Sequence, residues 1–158
     1  MGGIMKVQDL MISNVRFCNP DMNLSVVAET LWKAGCGTLP VVENGRVIGM
    51  ITDRDVAIAL GTRNVKASEA IVRDVSLPKL FYTTRGEDIH IALHTMGAQK
   101  VRRLPVVDGK GVLEGILCLD DIVLFAEEKG ALTYGDVIDT IKSVCEHTTA
   151  LKAVEATL

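Results

Sequence analysis

The chain carries one structural unit twice. GTLPVVENGRVIGMITDRD, Gly37 to Asp55, is echoed by RRLPVVDGKGVLEGILCLDD, Arg102 to Asp121. Placing Pro40 on Pro105 sets an offset of 65 residues, and Leu39, Val41 and Val42 then fall on Leu104, Val106 and Val107. Upstream, Leu24, Ala28 and Leu31 fall on Ile89, Leu93 and Met96, both triplets with the i, i+4, i+7 spacing of one helix face. Val15 and Phe17 fall on Leu80 and Tyr82. Past the hairpin turns the second copy has one extra residue, so Gly49 meets Gly115 and Asp55 meets Asp121. A unit of about 60 residues is marginal alone, because it buries too little of its surface. Two copies in one chain therefore predict a shared core.

Each copy reads as β-α-β-β-α, preceded by a short helix. Short helices are predicted near Val7 to Met11 and Ala67 to Ile71, and short strands at Val15 to Phe17 and Leu80 to Tyr82. Longer helices follow at Leu24 to Ala34 and Ile89 to Ala98. Two hairpins come next, Thr38 to Val42 with Val47 to Ile51, and Arg103 to Val107 with Val112 to Leu117. Their turns, ENGR and DGKG, hold the Asn-Gly and Asp-Gly pairs that accept positive φ. A last helix of each copy starts near Asp53 or Asp120. These marks divide the chain into repeat 1 at 5–62, a linker at 63–79 that contains the first helix of repeat 2, repeat 2 at 80–128 and a helical tail at 129–158. In the tail a helix is expected from Asp136, with Val137, Ile141, Val144 and Cys145 on one face, docked on the body or on a second subunit. The closing TTALKAVEATL is expected to fray.

Composition removes several classes of function. Aromatic residues are only 4%, so the core must come from aliphatic side chains and methionine. The net charge of −3 argues against a general nucleic-acid surface, which neutralises phosphate with excess cations. No apolar run approaches the roughly 18 residues of a membrane span. The start, MGGIMK, has no apolar signal core and puts Lys6 where a myristoylation signal needs Ser or Thr. Cys18, Cys36, Cys118 and Cys145 are scattered, as in a cytoplasmic protein with unpaired thiols rather than a disulfide or zinc framework.

The strings LPVVENGRVIGMITDRD and LPVVDGKGVLEGILCLDD, with the upstream NPDMNLSVVAETL, resemble a tandem pair of cystathionine-β-synthase (CBS) domains, the arrangement called a Bateman module. The resemblance covers about residues 5–128, and the doubling makes it specific. It implies an α/β (α+β) fold of two β-α-β-β-α repeats packed with pseudo-twofold symmetry. It also implies homodimers, and an adenine nucleotide or related adenosyl ligand in the cleft between the repeats. No catalytic domain accompanies the pair, which implies a stand-alone regulatory sensor, not an enzyme, whose ligand shifts its conformation and so its contact with an effector protein.

In GMITDRD, Thr52 and Asp55 stand at a strand-to-helix turn. A helix N-terminus presents free N–H groups suited to phosphate. The two oxygens of Asp55 match the vicinal hydroxyls of a ribose. The same residues also read as a capping box, Thr52 at the N-cap and Asp55 at N3, which needs no ligand. In repeat 2, Asp121 keeps the carboxylate, but Cys118 stands where the family has Thr or Ser, and a thiol is a poor donor. That site is expected to bind weakly, to take a different adenosyl ligand, or to stay empty. Arg103, and after it Arg102, are candidates for phosphate, since a guanidinium pairs with its oxygens. Arg54 and Asp120, beside the two key carboxylates, complete the candidate ribose and phosphate set, although Asp120 and Asp121 also serve a helix dipole. The resemblance places an adenine slot at Val15, Phe17, Cys18, Val41 and Ile51 in repeat 1 and at Leu80, Tyr82, Val106 and Leu117 in repeat 2. Such residues also read as plain core.

His90 and His94 have the i, i+4 spacing of a shared metal but lack the intervening Glu of H-E-x-x-H, so a solvated helix face is the simpler reading and no metal is expected. Trp32 has Gly97 as its repeat counterpart and is read as covering the core edge or a dimer seam. The expected ligand is AMP, ADP or ATP, with S-adenosylmethionine as the alternative. The rival readings are an interaction protein with a vestigial cleft, and an enzyme using the histidine pair.

Overall fold

A computed structural model describes residues 3–75 and 79–146. Helix α1 is Val7–Leu10, α2 is Leu24–Ala34, and strands β1, Thr38–Glu43, and β2, Arg46–Thr52, lead into α3, Asp53–Arg63. Then come α4, Val72–Val75, α5, Ile89–Gln99, strands β3, Arg103–Val107, and β4, Leu113–Cys118, and α6, Leu119–Val123. Helix α7, Tyr134–Cys145, follows the second repeat. The architecture is two repeats of mixed helix and strand, each with a small two-stranded sheet, plus a C-terminal helix.

Local chemistry explains the bounds. The Asn23 side chain caps α2 by accepting from the Val26 N–H at 3.0 Å, and Gly35 ends the helix in the left-handed conformation at φ 61°. The matching stop of α5 is Lys100, left-handed at φ 58°, although it carries a side chain. Strands β1 and β2 pair antiparallel from Thr38↔Thr52 to Glu43↔Arg46, with a bulge at Val41/Val42 and a turn through Asn44 and Gly45 at φ 50° and 79°.

The short strands foreseen at Val15 to Phe17 and Leu80 to Tyr82 shrink to single parallel bridges one residue later, Cys18↔Val41 and Thr83↔Val106. The Cys18 and Thr83 backbones each exchange a pair of bonds with the first strand of their hairpin, and the chain then turns away. The helix foreseen at Ala67 to Ile71 is a turn in which the Lys66 carbonyl accepts from the Glu69 and Ala70 N–H groups. The helix itself comes later, as α4. Pro78 of the linker and residues 147–158, including the stretch expected to fray, lie outside the described residues.

The chain forms two compact lobes. Among the described residues, one holds those of Asn14–Leu80 with Gly109–Leu113, and the other gathers residues 3–13, Phe81–Asp108 and residues 114–146. The lobes are a different partition from the sequence repeats. Helix α1, which sequence alone groups with repeat 1, buries Val7 and Leu10 against Ile89, Leu93, Leu104 and Leu117 of repeat 2. Likewise Ala70 and Val72 close the core of repeat 1 with Leu24, Leu31, Leu39 and Ile51. The two closures share a bond at the helix start: Leu24 N–H donates to the Ala70 carbonyl at 2.9 Å, and Ile89 N–H to the Met5 carbonyl at 3.0 Å. Periodicity reveals that a helix has an apolar face, but not which copy of a repeated core receives it.

Helix α7 begins two residues before the expected Asp136, because Thr133 caps it and Asp136 occupies N3. It docks on the body, along α5, and buries Val137 and Val144. Cys145, expected on that face, is exposed.

Candidate functional site

In repeat 1, β2 delivers Thr52 to the N-cap of α3. The Thr52 hydroxyl accepts from the Asp55 N–H at 3.1 Å. Asp55 Oδ2 in turn accepts from the Thr52 N–H at 2.8 Å and from its hydroxyl at 2.7 Å. The capping box foreseen as one reading is therefore formed. Asp55 is half-buried, and the bonds it accepts within the described residues end on Oδ2. The turn is braced by Asp53 N–H on the Gly37 carbonyl at 3.1 Å and by the Thr38 hydroxyl on the Ile51 carbonyl at 3.0 Å. Gly37 keeps this corner tight: a Cβ there would lie 3.2 Å from Asp53 Oδ2. Asp53 and Arg54 are exposed.

Repeat 2 reproduces the corner, with Leu119 N–H on the Arg102 carbonyl at 2.9 Å, but changes its chemistry. Cys118 is the N-cap of α6 and makes no side-chain cap bond. Burial pushes its thiol up to about 11, an effect opposed by Arg103 and reinforced by Asp121. Arg103, Cys118 and Asp121 thus sit together, and Arg103 also reaches Asp120 at 3.5 Å. Arg102 projects into solvent. At neutral pH this thiol stays protonated and is a poor nucleophile.

The slot residues divide sharply. Cys18, Val41, Ile51, Val106 and Leu117 are fully buried members of the two cores, and Cys18 Sγ lies 3.7 Å from the Pro40 carbonyl. Phe17 and its counterpart Tyr82 are 54% and 55% exposed, and Val15 and Leu80 are half-buried. Of the foreseen slot, only these four present side-chain surface.

Two further placements bear on the histidine pair and on the motif. His90 lies between carboxylates, Nδ1 at 2.8 Å from Asp88 and Nε2 at 3.5 Å from Asp136, and no metal-capable group of three or more His, Cys, Asp or Glu occurs among the described residues. The box at Thr52 and Asp55 also has a twin. Thr133 donates from its N–H and hydroxyl to Asp136 Oδ2 at 2.8 and 2.6 Å, and accepts from the Asp136 N–H at 3.3 Å. The T-x-x-D spacing of TYGD is the sequence signal of this second box.

The CBS domain profile matches residues 7–62 and 72–128. The chain belongs to the CBS domain family. Among curated relatives, the CBS domain-containing protein YhcV of Bacillus subtilis is 30% identical over 118 residues, 75% of this chain and 83% of that protein. CBSX2, solved in complex with AMP, is 25% identical with a TM-score of 0.66 over 76% of this chain and 94% of its own. The CBS domain pair of MJ0100, solved with 5′-methylthioadenosine and S-adenosyl-L-methionine, is 22% identical with a TM-score of 0.68, covering 78% of this chain and 96% of the other. The CBS match ends before α7, so the twin box at Thr133 lies outside it. No described helix is long and apolar enough to cross a membrane.

Proposed function

We propose that this CBS pair is a regulatory sensor, not an enzyme, whose ligand is an adenine nucleotide: AMP, ADP or ATP. The observation that carries the proposal is Asp55. It is half-buried at the start of α3, and its box engages Oδ2 and leaves Oδ1 to accept from a ribose diol. Thr52 fixes the carboxylate. Phe17 and Val15 offer surface to the base in repeat 1, and Tyr82 and Leu80 in repeat 2. Arg103 and Arg102 carry the charge for phosphate, and Asp121 is the weaker ribose acceptor because Cys118 leaves it unsupported by a hydroxyl. The AMP complex of CBSX2 supports the ligand class. The ligand acts by favouring one arrangement of the pair, and a cytoplasmic homodimer presents that arrangement to an effector protein.

Thermal unfolding tests the reading. A nucleotide at about 100 times its Kd stabilises by about 2.7 kcal/mol, a rise in Tm of several degrees. Asp55→Asn, which keeps an amide able to cap, is expected to abolish that rise with little change in the unliganded Tm. An undiminished rise in Asp55→Asn refutes the ribose assignment. S-adenosylmethionine offers the same diol and belongs in the panel, and mass spectrometry of molecules released on denaturation identifies the natural occupant. The twin box at Thr133 favours a second reading, a ligand-free interaction module, because it shows this geometry capping a helix outside the CBS match. Failure of every adenosyl compound to raise Tm selects it.

A further inference from the structure

Helix α7 lies outside the CBS match and is tied to α5 by side chains near each of its ends. The ties run in step along both helices: His90 faces Asp136, Gly97 approaches Ser143, and Lys100 reaches Ser143 and Glu146. At the far end Lys100 donates to the Ser143 carbonyl, one of the last of α7, and to Glu146 Oε2 at 3.1 Å. A lysine ammonium is charged throughout the physiological range, so this end is held alike in mild acid and mild base.

The tie at the near end is an imidazole. His90 stands between two carboxylates on different elements. Its Nδ1 is 2.8 Å from Oδ1 of Asp88, the N-cap of α5, and its Nε2 is 3.5 Å from Oδ2 of Asp136, in the first turn of α7. Ionised carboxylates only accept, and a neutral imidazole has a single N–H. The neutral ring therefore serves one neighbour and turns a lone pair on the other. Only the imidazolium, with two N–H groups and a positive charge, serves both. The Thr133 bonds hold the Asp136 carboxyl below its usual range, and the His90 N–H does the same for Asp88, so both stay ionised while an imidazole titrates. The other charged or titratable groups of this junction are His94 and Asp139, which line the same groove, Lys100 at its far end, and Lys6, whose backbone bridges to that of Asp88.

We propose that His90 is a proton-operated clamp on α7: charged, it ties the first turn of α7 to the start of α5, and on losing its proton it lets that tie go while Lys100 holds the other end. The sign follows from linkage. Docking favours the protonated ring, so α7 is held most tightly in mild acid and loosens as pH rises through the range in which an imidazole titrates. The clamp acts beside the nucleotide reading and does not depend on it.

Hydrogen exchange of the full chain, corrected for the intrinsic effect of pH, tests the clamp. From pH 6 to pH 8 the protection of α7 amides is expected to fall about 2- to 5-fold relative to those of α2, the range of a partly exposed charge pair. His90→Gln, which cannot titrate, is expected to remove that fall, and His94→Gln to keep it. A native chain whose α7 protection moves no more than that of α2 overturns the clamp. So does a His90→Gln chain that keeps the full response, or a His94→Gln chain that loses it.

Discussion

A single absent carbon at Gly115 admits the N-terminal segment. A Cβ there would lie 2.7 Å from the Ile12 carbonyl, which accepts from the Ile116 N–H at 2.9 Å while Ile12 N–H donates back to Ile116 at 2.9 Å. Gly115→Ala must break this bridge or shift the strand. It is expected to destabilise by about 1–3 kcal/mol, read as a lower urea midpoint at unchanged slope. From sequence, Gly115 was legible only as a matching position before the candidate site, because the Ile12 backbone that constrains it is remote along the chain. Asp55 was legible in both its roles, since spacing alone defines a capping box. What spacing withheld was which oxygen the box consumes. Phe17 and Val41 read alike as apolar slot residues, and only the packing separates the exposed ring from the buried side chain.

Among the elements, α7 has a titratable anchor in its first turn, Asp136, which faces His90 of α5. Hydrogen bonds from the Thr133 hydroxyl and N–H, with His90 nearby, hold the Asp136 carboxyl below its usual range. Asp88, bonded to the His90 N–H and ring, is shifted the same way. A carboxyl whose folded pKa lies below its unfolded value of about 3.9 stabilises at neutral pH, and that contribution fades as pH falls through the folded value. Thr133→Val is therefore expected to cost about 1 kcal/mol at neutral pH and less in acid, where Asp136 is protonated and only the cap bond from the Asp136 N–H is lost. Urea unfolding of both chains at the two pH values measures this, and an equal difference at both denies the linkage. Helix α2 was readable to the residue because Asn23 and Gly35 punctuate it. Helix α6 was not. It stops after five residues where α3 runs for eleven, and its N-cap, Cys118, supplies no side-chain bond. Element lengths follow such end chemistry more closely than apolar periodicity.

For the molecule as a whole, the exchange of closing segments is the decisive feature. Removing α1 and the residues before it strips Val7 and Leu10 from the core of the second-repeat lobe. Hydrogen exchange is expected to accelerate in α5 and β3 while α2 and β1, whose core is closed by Ala70 and Val72, keep their protection. Equal acceleration in both lobes refutes independent closure. The duplication itself was plain in the sequence, and so was the family. The pairing of each closing segment with the other copy was hidden, because both cores have the same apolar skeleton and either accepts the same short helix. The C-terminal helix carries a last consequence. With α7 lodged along α5, the helical face of the second repeat is covered from within the same molecule, and Val137 and Val144 are kept from water without help from a neighbour.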